Sequence, residues 1–193
     1  MLSFVDETLL MRVMGIDPGS ETTGWGIVEG DRRRYGLVDF GAIKAPPRER
    51  FAARLLKISN GLEALISRFA PDVCAIEEVF FAANAKTALK LGHVRGVALL
   101  AAERAGVEIA EYSPRLVKQT VVGYGAAEKH QVQEMVRILL KLTSGPQPYD
   151  AADALALAIC HFHHAAVPQG ARSAASLKLE SLLAVPARRR APR

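Results

Sequence analysis

The stretch Arg12-Val13-Met14-Gly15-Ile16-Asp17-Pro18-Gly19-Ser20, continued by Glu21-Thr22-Thr23-Gly24-Trp25-Gly26, decides how the rest of the chain reads. It predicts a short buried strand that ends on one carboxylate, Asp17, and then breaks. Pro18 has no amide hydrogen for a sheet ladder, and Gly19 permits a turn that most residues resist. A second strand, Thr23 to Glu29, returns beside the first, with Gly24 and Gly26 leaving room on one face. An ionised aspartate at the end of an apolar central strand needs a cation or a hydrogen-bonded partner. What that partner is becomes the functional question.

Downstream, a third strand is expected over Tyr35 to Lys44, after the Gly30-Asp31-Arg32-Arg33 turn, so three β segments form a meander. Pro46-Pro47 ends it. A helix is predicted from Arg48 to Phe69, where Phe51, Leu55, Ile58, Leu62, Leu65, Ile66 and Phe69 keep helical spacing. Val73 to Glu77 is a second strand that ends on an acid. The next helix, Asn84 to Ala105, carries Ala88, Gly92 and Gly96 four apart on one face. Glycine costs ~1 kcal/mol relative to alanine inside a helix, so a close neighbour is expected there.

Val107 to Tyr112 makes a further strand, and Ser113-Pro114 supplies an N-cap and first helical position for a helix through Val121. Helices then follow over Ala127 to Leu142 and Asp150 to His163, the last apolar nearly all round and therefore buried. A meander followed by alternating helices and strands predicts an α/β fold, a mixed five-stranded sheet with helices on both faces.

The 193 residues suit one domain plus a tail, divided as an extension over 1–11, a domain over 12–166 and a basic, disordered tail over 167–193. Half the residues are apolar, yet the longest apolar runs fall far short of the ~20 residues of a membrane span. Asp6 and Glu7 stand where a secretory signal would be basic, and Met11 is an alternative start. Cys74 and Cys160 lack metal-ligand spacing and read as buried thiols in a reducing cytoplasm. From Pro168 onward six basic residues face one acid, which accounts for the whole net charge of +5. Residues 1–167 are therefore neutral overall, and any DNA site must arise from asymmetry within that body.

Four carboxylates stand out. Asp17 and Glu77 each terminate an apolar strand, while Asp150 and Asp153 lie three apart at the entrance of the last helix. Taken singly, each has an ordinary explanation: a turn aspartate, a strand-end glutamate, a helix cap worth ~1 kcal/mol. Brought together, each pair at about 5 Å repels by ~3 kcal/mol at an effective dielectric of ~20. Such a cluster persists only with protons or divalent cations, and all-oxygen ligands favour Mg²⁺ or Mn²⁺ over zinc. Two such ions can activate water and stabilise the leaving oxygen in phosphodiester cleavage.

At this point the chain resembles the RuvC family, Holliday-junction resolvases with an RNase H-like fold. The resemblance rests on Gly-Ile-Asp-Pro-Gly-Ser from Gly15, Ala-Ile-Glu-Glu-Val-Phe from Ala75 and Ala-Leu-Lys-Leu-Gly-His-Val-Arg-Gly from Ala88. It continues with Val-Lys-Gln-Thr-Val-Val-Gly-Tyr-Gly from Val117, Ala-Glu-Lys-His-Gln-Val-Gln from Ala127 and Asp-Ala-Ala-Asp-Ala-Leu-Ala from Asp150. Some members carry His at the first acid of the last helix; this chain has Asp150, which keeps an all-carboxylate set.

The resemblance implies a structure-specific endonuclease for four-way junctions in recombination and repair. Asp17 would bridge two Mg²⁺ ions, with Glu77 on one and Asp150 and Asp153 on the other, and Mn²⁺ would substitute. Cleavage would leave a 5′-phosphate and a 3′-hydroxyl. Lys118 and Lys129 match family lysines near the DNA backbone. Phe80 matches an exposed aromatic that stacks on an unpaired base, although composition alone makes it a core residue. The family also implies a homodimer and work beside the branch-migration proteins RuvA and RuvB. The Ala88, Gly92, Gly96 face is the expected subunit contact, with packing against the sheet as the other explanation.

Lesser signals read blandly. His161, His163 and His164 suit a helix C-terminus, which favours cationic side chains. Arg32-Arg33-Arg34 is a solvated turn, and Glu78 points away from Glu77 across the strand. Two other functions compete: a catalytically silent junction-binding protein, and an actin-like nucleotide binder, for which the chain lacks the length of two lobes.

Overall fold

The computed structural model describes residues 10–31, 33–78 and 85–165. Three strands open it, β1 (Met11–Asp17), β2 (Thr22–Gly30) and β3 (Tyr35–Lys44), followed by α1 (Phe51–Phe69), β4 (Val73–Glu77), α2 (Ala85–Arg104) and β5 (Glu108–Tyr112). Three helices complete it: α3 (Pro114–Val122), α4 (Lys129–Leu139) and α5 (Tyr149–His164). The sheet order is β3-β2-β1-β4-β5. The meander strands are antiparallel, whereas β1/β4 and β4/β5 run parallel because a helix returns the chain between them.

β1 lies in the middle of the sheet and is covered on both sides, so its successive side chains enter different cores. Met14 and Ile16 pack with Ile58, Leu62 and Ile66 of α1 and with Val94 and Ala98 of α2. Val13 faces the other way, toward Val117 of α3, Val132 and Val136 of α4 and Leu155 to Cys160 of α5. The five-stranded sheet with helices on both faces is therefore as the residue pattern predicts.

α5 presses its backbone onto β1 and β2. A Cβ built at Gly15 would meet the Ala154 carbonyl oxygen at 1.8 Å, and one at Gly24 would meet the Asp150 carbonyl oxygen at 1.9 Å. At Gly26 it would meet the Leu155 side chain at 2.6 Å. The room expected beside Gly24 and Gly26 is occupied by this helix. Close approach explains why α5 is apolar all round: residues 151 to 162 are buried except Asp153.

Several expected details are corrected. α1 begins at Phe51 rather than Arg48, because Glu49 closes a turn onto the Pro46 carbonyl at 3.0 Å. α4 is shorter than 127–142: Glu128 and Gln131 form its capping box, and Lys141 at φ 54° lies past its end. Neither aspartate caps α5, whose N-cap is Pro148 with no side-chain bond. Among the described residues nothing lies within 4 Å of where a Cβ of Gly92 or Gly96 would sit, so packing against the sheet does not explain these glycines. His161 is no helix-end cation: it is buried against the Tyr112 hydroxyl at 2.8 Å, and burial lowers its pKa. Ser113 caps α3 as expected, accepting from the Leu116 amide at 3.3 Å. Among the described residues no helix is long and apolar enough to cross a membrane.

Candidate active site

Sheet register assembles the first half of the site. Ile16 of β1 pairs in parallel with Ile76 of β4, so the next residues, Asp17 and Glu77, end adjacent strands at the same edge. Asp17 also pairs with Gly24 across β1 and β2. Since Gly24 receives the Asp150 backbone, the first turn of α5 arrives over the same strand ends. Asp150 and Asp153 ride on that turn.

The charges of the other three acids act on Asp17. The Asp17 carboxyl is held well above the ordinary range, first by burial and then by the charges of Glu77, Asp153 and Asp150. Glu77 is pushed up to about 7, by burial and then by Asp153. Asp153 is raised by burial, with Asp150 adding to it. Like charges that neighbour one another in a desolvated setting have this effect, and opposite charges nearby oppose it.

Two lysines supply that opposition. Lys129, the first residue of α4, has its Nζ 3.8 Å from an Asp153 carboxylate oxygen and lowers the pKa of Asp17, Glu77 and Asp153. Lys118 of α3 acts likewise on Glu77 and Asp153. Both predicted lysines thus stand beside the acids. Phe80 lies outside the described residues.

Sequence reasoning missed two supports. Arg54 of α1, only 5% exposed, donates through its guanidinium to the Ser20 carbonyl in the turn that follows Asp17. Its charge also lies 5.7 Å from the centre of the Phe51 ring. The one visible signal is an arginine a turn before Ile58, among the apolar positions of that helix. Gln131 is the other: its Oε1 accepts from the Glu128 amide at 2.9 Å and the Tyr124 hydroxyl at 2.7 Å. Those bonds fasten the start of α4, and Lys129 with it.

Among the described residues no three His, Cys, Asp or Glu side chains close into a ligand shell. The donor chemistry nonetheless fits a hard divalent cation. It is all carboxylate, desolvated and mutually repulsive, and a cation would relieve both burial and repulsion.

Comparison with known proteins identifies the family. A family model described as "Crossover junction endodeoxyribonuclease RuvC" matches residues 13–161. The RuvC of Koribacter versatilis is 55% identical over 157 residues, 81% of this chain and 95% of its own. That of Chloroflexus aggregans is 54% identical over 155 residues, 80% of this chain and 94% of its own. Thermus thermophilus RuvC, solved in complex with Holliday junction substrate, is 38% identical with a TM-score of 0.74 over 78% of this chain and 92% of that one. The yeast mitochondrial resolvase Ydc2 shares the fold, at a TM-score of 0.57, 15% identity and 79% of each chain. RuvC nucleases are metal-dependent enzymes. By the family model's span and by relatives this similar, the chain belongs to the RuvC family of crossover junction endodeoxyribonucleases.

Proposed function

We propose that this protein resolves four-way (Holliday) DNA junctions in recombination and repair by paired, symmetric, metal-dependent nicks. The observation that supports the reading is that β1 and β4 end side by side under the first turns of α5, where the charges of Glu77, Asp153 and Asp150 raise the pKa of Asp17 and two lysines oppose them. A protein that only bound DNA would gain nothing from acids that repel phosphate. The Thermus thermophilus relative solved in complex with Holliday junction substrate supports the substrate class.

Asp17, Glu77, Asp150 and Asp153 would hold the Mg²⁺ ions, two per site, with Mn²⁺ able to take their place. When bound, the ions supply an activated water and charge for the leaving 3′ oxygen. Lys118 and Lys129 neutralise the phosphate backbone that the acids would otherwise repel. Phe80 stacks on an unpaired base at the crossover. The products are a 5′-phosphate and a 3′-hydroxyl, which a ligase can seal.

Symmetric nicking calls for a homodimer whose twofold axis matches the junction. The α2 face suits the subunit contact: Leu89 and Leu100 are exposed, and no described residue comes within 4 Å of where a Cβ of Gly92 or Gly96 between them would sit. RuvA and RuvB are the expected branch-migration partners, and the cytoplasm the expected location. Light scattering tests the contact: a Gly92→Leu protein that stays fully dimeric moves the interface elsewhere.

The deciding experiment uses a synthetic four-way junction. The wild-type chain cuts it with Mg²⁺ and not with a chelator, while Asp17→Asn binds it without cutting. Full cleavage by Asp17→Asn, or no cleavage by the wild type, overturns the reading.

A further inference from the structure

We infer that Tyr149 is a DNA-contacting residue, whose ring receives an unstacked nucleobase at the branch point beside the acids. This inference rests on the junction-nuclease reading above. It begins with a contrast among the four tyrosines of the chain. Tyr35 stacks on Phe162 at 5.3 Å between centroids and shares a hydrogen bond with His163 at 3.2 Å. Tyr112 is bonded to His161 at 2.8 Å, and Tyr124 donates to Gln131 at 2.7 Å. Tyr149 alone has neither a hydrogen bond nor a ring contact among the described residues, and it is 44% exposed. An aromatic that contributes so little to the fold is available for a ligand.

Its position says which ligand. Tyr149 is the first residue of α5, directly before Asp150 and one helical turn from Asp153 on the same face. From 149 to 162 the helix is otherwise buried, so Tyr149, Asp150 and Asp153 form the accessible surface of its opening turns. A substrate reaching those two acids meets the phenol ring on the way. The ring is also held in register, because the Asp150 backbone is seated against Gly24. A phenol ring offers no charge to a phosphate, so what it contributes beside the scissile backbone is contact with an uncharged, flat group. Every nucleobase offers a π face, and bases at a crossover are the ones able to leave their stack.

The test compares Tyr149→Ala, Tyr149→Phe and Tyr149→Trp in the full chain, with unchanged urea midpoints as the folding control. In an Asp17→Asn background, the alanine protein is expected to bind the junction about tenfold more weakly. A 2-aminopurine at the branch point reports base stacking, and its emission change on binding is lost with alanine. In the otherwise wild-type chain the alanine variant raises KM far more than it lowers kcat. Phenylalanine and tryptophan rescue all three readouts, because they keep a ring. Unaltered binding and emission in Tyr149→Ala overturn the inference, as does a phenylalanine variant as impaired as the alanine one. A loss confined to kcat also overturns it, since that assigns Tyr149 to the neighbouring acids. Should the wild-type chain fail to cut the junction at all, the failure lies with the proposed function and not with Tyr149.

Discussion

Gly24 and Asp150 are joined by an absence of atoms: a Cβ on Gly24 would stand 1.9 Å from the Asp150 carbonyl oxygen. The strand partner of Gly24 is Asp17. A single missing methyl group on β2 thus lets two acids far apart in sequence reach one place. Gly24→Ala must push the start of α5 off the sheet, because backbone cannot yield as a flexible side chain does. Overpacking of this kind costs ~1–3 kcal/mol. A misplacement of ~1 Å costs catalysis ~100-fold. Urea unfolding and junction cleavage should record both losses, and an alanine variant with full activity would show that α5 is free to shift.

The acidic cluster makes stability depend on pH in an unusual direction. Glu77 lies at about 7 in the folded chain, and Asp17 and Asp153 are raised too. The folded state therefore holds protons that the unfolded state has released, and stability falls as pH rises through the folded pKa values. It is fully present below the ordinary carboxylate range, the reverse of what a salt-bridged acid does. In chelator, Glu77→Gln should exceed the wild type in stability at pH 8 by on the order of 2 kcal/mol and match it near pH 4. A glutamine variant less stable at pH 8 contradicts the cluster's repulsion.

Lys129 should have two separable effects. Its charge lowers the pKa of Asp17, Glu77 and Asp153, so Lys129→Met lets all three rise further. The acidic limb of the cleavage profile then moves to higher pH. Loss of one phosphate contact also reduces the slope of log affinity against log salt by ~1. An unchanged limb with a reduced slope would confine Lys129 to DNA binding.

Arg54 ties α1 to the turn after Asp17 through the Ser20 carbonyl, from a site that is 5% exposed. A buried cation is costly to desolvate, so a neutral side chain of similar length offsets much of what the hydrogen bond contributed. Arg54→Met is expected to change stability by about 1 kcal/mol or less. The freed turn should nonetheless slow single-turnover cleavage at least ~10-fold. A loss of several kcal/mol with normal single-turnover rates would make Arg54 purely structural.

Strand boundaries were the most legible part of the chain. β3 and β4 run as their apolar runs and flanking Pro, Gly and charged residues predict, because such punctuation acts locally. Helix ends were less so. The start of α1 and the finish of α4 depend on a turn at Glu49 and on the left-handed conformation of Lys141, which short-range spacing does not encode. His161 misled for a related reason: its place in the last turn suggests a cation, yet it is buried against Tyr112 of a distant strand, and that burial lowers its pKa. The four acids were individually ambiguous for the same reason, since each sits where a turn, strand end or helix start commonly carries one.

By itself the sequence determined the order of the elements, the acids at their ends and the family motifs, because each is written in contiguous residues. Only the tertiary structure decided that α5 seats on the Gly15, Gly24, Gly26 strip, that Lys129 and Lys118 lie near the acids, and that burial raises the pKa of Asp17, Glu77 and Asp153. Those facts depend on distances and on exclusion of water. Both arise where strands, helices and loops remote in sequence come together, so no local pattern contains them.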